Sequence, residues 1–181
     1  MNLRLAQPGD AAAIAALHTA SWRQSYQGML TAQYLEKDIV SDRLKVWESR
    51  FQNPKPGQYV VIADDQHAKP HDRMIGFACA FGEDDPKWGT LLDNLHVVRG
   101  LKRHGIGTQL MANVAQWCAA TYPGRPLYLF VFDRNFVARK FYERLGAVEI
   151  ETVRWDALDG TIANLLRYAW TDLTPLICAA R

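Results

Sequence analysis

Lys102-Arg103-His104-Gly105-Ile106-Gly107-Thr108 is the stretch on which the reading of this chain turns. Before it runs a hydrophobic segment, Leu91-Leu92-Asp93-Asn94-Leu95-His96-Val97. After it Ile106, Leu110, Val114, Trp117 and Cys118 recur at helical steps. A strand leading into an amphipathic helix is the expected local structure. A glycine pair at the mouth of a helix lets the backbone approach a ligand and aims its free N–H groups outward. Those amides and the helix dipole favour an anion, and a pyrophosphate suits them best. Arg99, Lys102 and Arg103 add positive charge on the same side. Two other phosphate loops are excluded by spacing. The dinucleotide fingerprint G-x-G-x-x-G would need glycine where Leu110 stands, and the P-loop pattern G-x-x-x-x-G-K-[ST] is absent.

The rest of the chain bounds what such a loop can serve. A length of 181 residues suits one domain with one sizeable core, and 49% hydrophobic against 22% charged residues is ordinary for a globular protein. A net charge of +2 is too small to argue for nucleic acid or an anionic membrane. Cys79, Cys118 and Cys178 have no metal-like spacing and sit in apolar contexts, which predicts buried thiols in a reducing compartment. The N-terminus lacks an apolar run of signal-peptide length, and no stretch is long and apolar enough to span a bilayer. A cytoplasmic protein is the expectation.

Outward from the loop, the pattern predicts a short strand over 3–6 and a helix over about 11–24. The inner side of that helix is expected to carry Ala13, Leu17, Ala20 and Trp22 or Gln24. A second helical region runs from 31 to about 51, interrupted near 38–41. Strands follow at 58–64 and 74–81, joined by a polar hairpin loop over 64–72, and then at 88–97. Beyond the helix at 105–121 comes a wholly apolar strand, 127–132, expected to be central. A helix over 135–145 shows Val137, Phe141 and Leu145, with Gly146 as a left-handed cap. Strands near 147–155 and 163–170 end the series. The order β-α-α-β-β-β-α-β-α-β-β predicts a mixed α/β sheet with helices on both faces.

Residues 102–107 resemble the R/Q-x-x-G-x-G/A motif of the GNAT superfamily of acyl-CoA-dependent N-acyltransferases, with Lys102 where that family prefers Arg or Gln. A second stretch is similar to the family's N-x-x-A-x-x-[FL]-Y-x-x-x-G-[FA] motif: Asn135-Phe136-Val137-Ala138-Arg139-Lys140-Phe141-Tyr142-Glu143-Arg144-Leu145-Gly146-Ala147. The motifs occur in the family's order, and the resemblance covers roughly residues 90–170. Ala20 to Gly28 also resembles the aromatic first-helix region of many bacterial members. The resemblance implies a GNAT-like, largely antiparallel central sheet in a single domain over 1–181, and acetyl-CoA as co-substrate without a metal. It implies direct transfer of an acetyl group to a primary amine of a small molecule or peptide. Neither nucleic acid nor membrane is expected as a partner, and a homodimer is left open.

Residue roles follow from that resemblance. The strand holding Asp93 would splay from its neighbour, and the pantetheine arm would insert beside Leu95, His96 and Val97, bonding to the backbone of Leu95 and Val97. The amides of Arg103, His104, Gly105, Ile106, Gly107 and Thr108 would cradle the phosphates with Lys102 near the charge, and Asn135 and Arg139 would contact the arm. Tyr142 is the expected proton donor. Aminolysis of a thioester expels a thiolate whose conjugate acid has a pKa of roughly 8.5. A tyrosine near pKa ~10 stays protonated at neutral pH and can give that sulfur a proton. Asp93 is the expected base, its side chain sharing the parity of Leu95 and Val97, with His96 on the opposite face, or water and no dedicated base, as the alternatives. Trp22, Tyr26, Trp155 and the acidic run Glu83-Asp84-Asp85 are candidate acceptor-site features. No cysteine lies in a setting that would make it a covalent nucleophile. A non-catalytic acyl-CoA sensor on the same fold is the competing reading.

Overall fold

The computed structural model describes residues 1–69, 73–157 and 159–179. Pro70, His71 and Asp72, the end of the expected polar loop, lie outside the described residues. The sheet has seven strands: β1 (Asn2–Leu5), β2 (Gln58–Asp64), β3 (Met74–Asp85), β4 (Gly89–Val97), β5 (Leu127–Phe132), β6 (Val148–Asp156) and β7 (Ile162–Trp170). Their spatial order is β1-β2-β3-β4-β5-β7-β6, antiparallel throughout except for the β4–β5 pair. Helices α1 (Ala11–Ser25) and α2 (Ile39–Gln52) cover one face; α3 (Ile106–Thr121), α4 (Phe136–Arg144) and α5 (Thr174–Cys178) lie on the other.

The faces follow from side-chain alternation along the strands. On β3, Ala78 and Ala80 meet Leu110, Met111, Val114 and Cys118 of α3. Phe77, Cys79 and Phe81 turn the other way, toward Ile14 of α1 and Trp47 of α2. Each fully buried aliphatic such as Leu110 contributes about 1.5–3 kcal/mol by leaving water.

Four expectations need correction. The inner stripe of α1 is Ala11, Ile14, Ala15, His18 and Ser21, whereas Ala13 and Ala20 are exposed. The true stripe has the same helical period, but its central residue is a histidine rather than an aliphatic. On α4, Val137 is 79% exposed, and the packed stripe is Ala138, Phe141, Tyr142 and Leu145. The break in the second helical region is a π-helical turn at Tyr34–Asp38, just before the expected position. Helix α5, opened by Pro175 in its first turn, is too short to show a periodicity. Cys178, at its end, is exposed, while Cys79 and Cys118 are buried as expected.

Candidate active site

Strands β4 and β5 pair only at Thr90–Leu127 and Leu91–Tyr128. Beyond those pairs the two strands diverge and a cleft of about 1190 Å³ opens between Leu92–Val97 and Leu129–Val131. The cause of the divergence lies in β4 itself. Leu92 opposes Ala80 and Asn94 opposes Cys79, so Asp93 is an extra residue, a β-bulge. A bulge bends its strand and increases its twist.

The bulge also resets parity. Leu92, Leu95 and Val97 pack toward α3. Asp93 instead reaches α2, where its Oδ2 accepts from Arg50 Nη2 at 2.7 Å. Arg50 Nη1 donates to Asn94 Oδ1 at 2.8 Å, so both bulge residues answer to one guanidinium. The expectation that Asp93 shares a side with Leu95 and Val97 is therefore overturned, because strict alternation does not survive an inserted residue. His96 does face away from Leu95, against Phe77 and His18, as expected.

At the outer end of the cleft, the chain enters α3 through two left-handed residues, Arg103 at φ 70° and Gly105 at φ 81°. Gln109 N–H donates to the Gly105 carbonyl at 3.0 Å, and the amides of Ile106, Gly107 and Thr108 precede that first helical bond. Gly107 lies against α4; a Cβ there would meet Phe141 Cζ at 3.3 Å. Tyr142, on the inner wall, packs edge-on to Phe141 and Trp170. Burial first, then the neighbouring Tyr26, push its hydroxyl above the ordinary tyrosine range.

A strand pair that parts beside an open helix N-terminus is the geometry of a site for an extended ligand with a polyanionic end. The comparisons agree. The profile of the acetyltransferase (GNAT) family matches residues 14–147. A probable N-acetyltransferase of Mycobacterium tuberculosis is 32% identical over 162 residues, 88% of this chain and 87% of that one. This chain belongs to the GNAT family of acetyltransferases. Among solved structures, a GCN5-related N-acetyltransferase of Rhodopseudomonas palustris superposes at TM-score 0.70 with 23% identity over 93% of both chains. Arabidopsis thaliana NAA60 in complex with acetyl-CoA also superposes at 0.70, with 16% identity over 93% of this chain and 97% of that one.

Not every residue singled out in the acetyltransferase sequence reaches the cleft. Leu95, His96, Val97, Lys102, Arg103, Gly105, Gly107, Thr108, Asn135 and Tyr142 line it, as do Trp22 and Tyr26. The Ile106 side chain is buried in the core, so only its backbone can face a ligand. Arg139 lies elsewhere: its guanidinium donates to the Asp133 carbonyl at 2.8 Å and to Tyr168 Oη at 3.3 Å, and pairs with Glu149. Asn135, Ala138 and Tyr142 share the cleft side of α4, and Arg139 ties that helix to the sheet. His104 is exposed and bonds the Lys102 carbonyl through Nδ1. Asn135 has a local duty as well, accepting from Ala138 N–H at 3.3 Å as the cap of α4.

The acidic run is remote from the acetyltransferase cleft. Glu83 pairs with Arg125, Asp84 accepts from Tyr128 Oη, and Asp85 takes the amides of Lys87 and Trp88 in the β3–β4 turn. Trp155 does not line the cleft; it backs the aromatic wall through Phe132, 5.5 Å between centroids. Sequence reasoning missed Arg50 and His18. His18 is fully buried, its Nδ1 accepting from Trp47 Nε1–H at 3.0 Å, and its ring lies 4.7 Å from that of His96. Burial pushes His96 down to about 3 and depresses His18 as well. Both are neutral at pH 7. The signal for His18 was its place in the α1 stripe; Arg50 left none, since only the fold brings it to the bulge. Among the described residues, no group of three or more His, Cys, Asp or Glu could hold a metal, and no helix is long and apolar enough to cross a membrane.

Proposed function

We propose that this enzyme, one domain over residues 1–181, moves an acetyl group from acetyl-CoA directly to the primary amine of a small molecule or peptide in the cytoplasm. The observation that carries the reading is the β4–β5 cleft, with Tyr142 on its inner wall and the open first turn of α3 at its outer end. The residues fit the co-substrate. The amides from Arg103 to Thr108 suit a pyrophosphate, and Lys102 and Arg103 add charge. The edge of β4 at Leu95, His96 and Val97 suits a pantetheine arm that bonds as a strand would, with Asn135 beside it. Acetyl-CoA supplies an activated thioester carbonyl.

Tyr142 acts as the proton donor to the departing sulfur. Its raised pKa keeps the hydroxyl protonated at neutral pH, so it meets the developing thiolate with a charge-assisted hydrogen bond along which the proton can pass. Asp93 receives the amine's proton through water. Arg50 orients that carboxylate through their 2.7 Å contact. A free amine of pKa ~10 is mostly protonated at neutral pH, so desolvation in the cleft also lowers its basicity. Direct transfer is supported by the cysteines. Burial pushes Cys79 up to about 12 and Cys118 up to about 11, far from the thiolate a covalent route needs.

The test is thiol release from acetyl-CoA with a panel of amines, beside calorimetric binding of acetyl-CoA. Release that depends on an amine supports transfer. Tight binding without release for any amine would make the chain an acyl-CoA sensor instead.

A further inference from the structure

The cleft is lopsided in charge. Among the described residues that line it, Asp93 is the single carboxylate, against Arg99, Lys102, Arg103, Arg134, Lys140 and Arg144. Five of those cations lie at the entrance to α3 or on α4, the side that suits phosphates. Arg134, just ahead of the α4 cap, donates to the Gly28 carbonyl at 2.8 Å. Asp93 brings no free charge, since Arg50 binds it at 2.7 Å. The acidic run that could have supplied more is engaged at the far end of β3.

Aromatic surface takes the place of acids. Trp22, Tyr26 and Met29 line the acceptor side. Trp22 and Tyr26 meet at 5.1 Å and Tyr26 and Phe132 at 4.6 Å between centroids, a continuous wall held by α1 and β5. The Trp22 ring already carries a cation, the Arg43 guanidinium at 4.6 Å from its centroid. A polyamine would bring a second and third ammonium into this space with no unpaired carboxylate to meet them. Desolvating a charge without a partner is costly. A flat or aliphatic body gains from the same wall by burying apolar area and by edge-to-face contacts.

On the acetyl-transfer reading above, we infer that the acceptor is a primary monoamine with an aromatic or apolar body, and that the cleft discriminates against polyamines. The wall of Trp22, Tyr26 and Met29 selects the body, and the lack of free carboxylates rejects additional positive charge.

The experiment measures thiol release by the full chain with 2-phenylethylamine and tryptamine against spermidine and 1,4-diaminobutane. The aromatic amines are expected to show a kcat/KM at least about tenfold higher, the scale on which an apolar pocket discriminates. Ser25, half-buried on the cleft at the end of α1, offers a converse. Ser25→Asp adds the missing carboxylate and should move the ratio toward spermidine by about tenfold. Spermidine used as well as or better than phenylethylamine by the wild type would overturn the inference while leaving acetyl transfer intact. A ratio unmoved in folded Ser25→Asp would overturn charge as its cause. No release with any amine, despite acetyl-CoA binding, would overturn the transfer reading and this inference with it.

Discussion

The two walls of the cleft are built in different ways. The donor wall is backbone: left-handed residues at Arg103 and Gly105, the open amides of α3, and the unpaired edge of β4. All of it comes from one short run of sequence. The acceptor wall is side chains: Trp22 from α1 and Tyr26 from its C-terminal cap, Arg50 from α2, Asp93 from the bulge of β4 and Phe132 from β5. These residues are distant in sequence, and each is held by another side chain. A backbone site tolerates side-chain change and is broken by conformational change. A side-chain site behaves the other way round.

The largest effect is expected where the walls meet, at Tyr142. Tyr142→Phe keeps the packing against Phe141 and Trp170 and removes only the hydroxyl. On the proposed role it lowers kcat by about 10²-fold and leaves acetyl-CoA affinity near wild type. Steady-state rates with a productive amine, beside calorimetry, separate these quantities. An undiminished kcat would make Tyr142 a packing residue.

The donor wall is broken next. A Cβ at Gly105 meets nothing within 4 Å, so the requirement there is conformation and not space. Valine at φ 81° is strained by about 1–3 kcal/mol. Gly105→Val should accordingly weaken acetyl-CoA binding by about 30-fold, whereas Lys102→Ala should weaken it only about threefold. The comparison fails if the lysine matters more than the glycine, for then charge and not backbone would define the donor wall.

Asp93→Asn probes the acceptor wall with an effect of about tenfold on kcat/KM at pH 7. Near pH 9 a larger share of an amine with pKa ~10 is already neutral, so the loss should shrink if Asp93 takes the proton. The variant also leaves Arg50 without its carboxylate. A merely structural role for that pair would lower activity equally at both pH values, which makes the pH profile the deciding readout.

The contrast between the walls also explains what could be read from the sequence. The succession of strands and helices, α3 and the glycine pair were legible because periodicity, cap residues and helix-ending glycines are local signals. The side-chain parity of Asp93 was misread because a bulge leaves no trace in the alternation of β4 alone; it exists only in the register with β3. Arg139 was misassigned for a related reason. Its motif position put it one helical turn from Asn135, but Asp133, Tyr168 and Glu149 draw it to the sheet. His18 was hidden in plain view, since an aliphatic stripe was sought where an aromatic imidazole completes the core.

That buried imidazole pair gives the smallest prediction. His18 and His96 stand ring to ring, with Arg43 near both, Arg50 near His18 and Lys102 near His96. Burial depresses both pKa values in the folded state, so below the unfolded value of about 6.5 the unfolded chain binds more protons. Stability is therefore fully present above that pH and falls as pH drops toward the folded value of about 3 for His96. Asp10, Asp42, Asp159 and Asp172 have lowered pKa values, and their contribution is lost only in more acidic solution. The interval from pH 6.5 to 5.5 thus isolates the histidines. Replacing His96 by Gln removes one titrating group, and the acid-induced loss over that interval should be about 1 kcal/mol smaller than in wild type. Urea unfolding at the two pH values measures it. Equal losses in the two proteins would mean that His96 takes up its proton as readily folded as unfolded, and burial would not be what governs its titration.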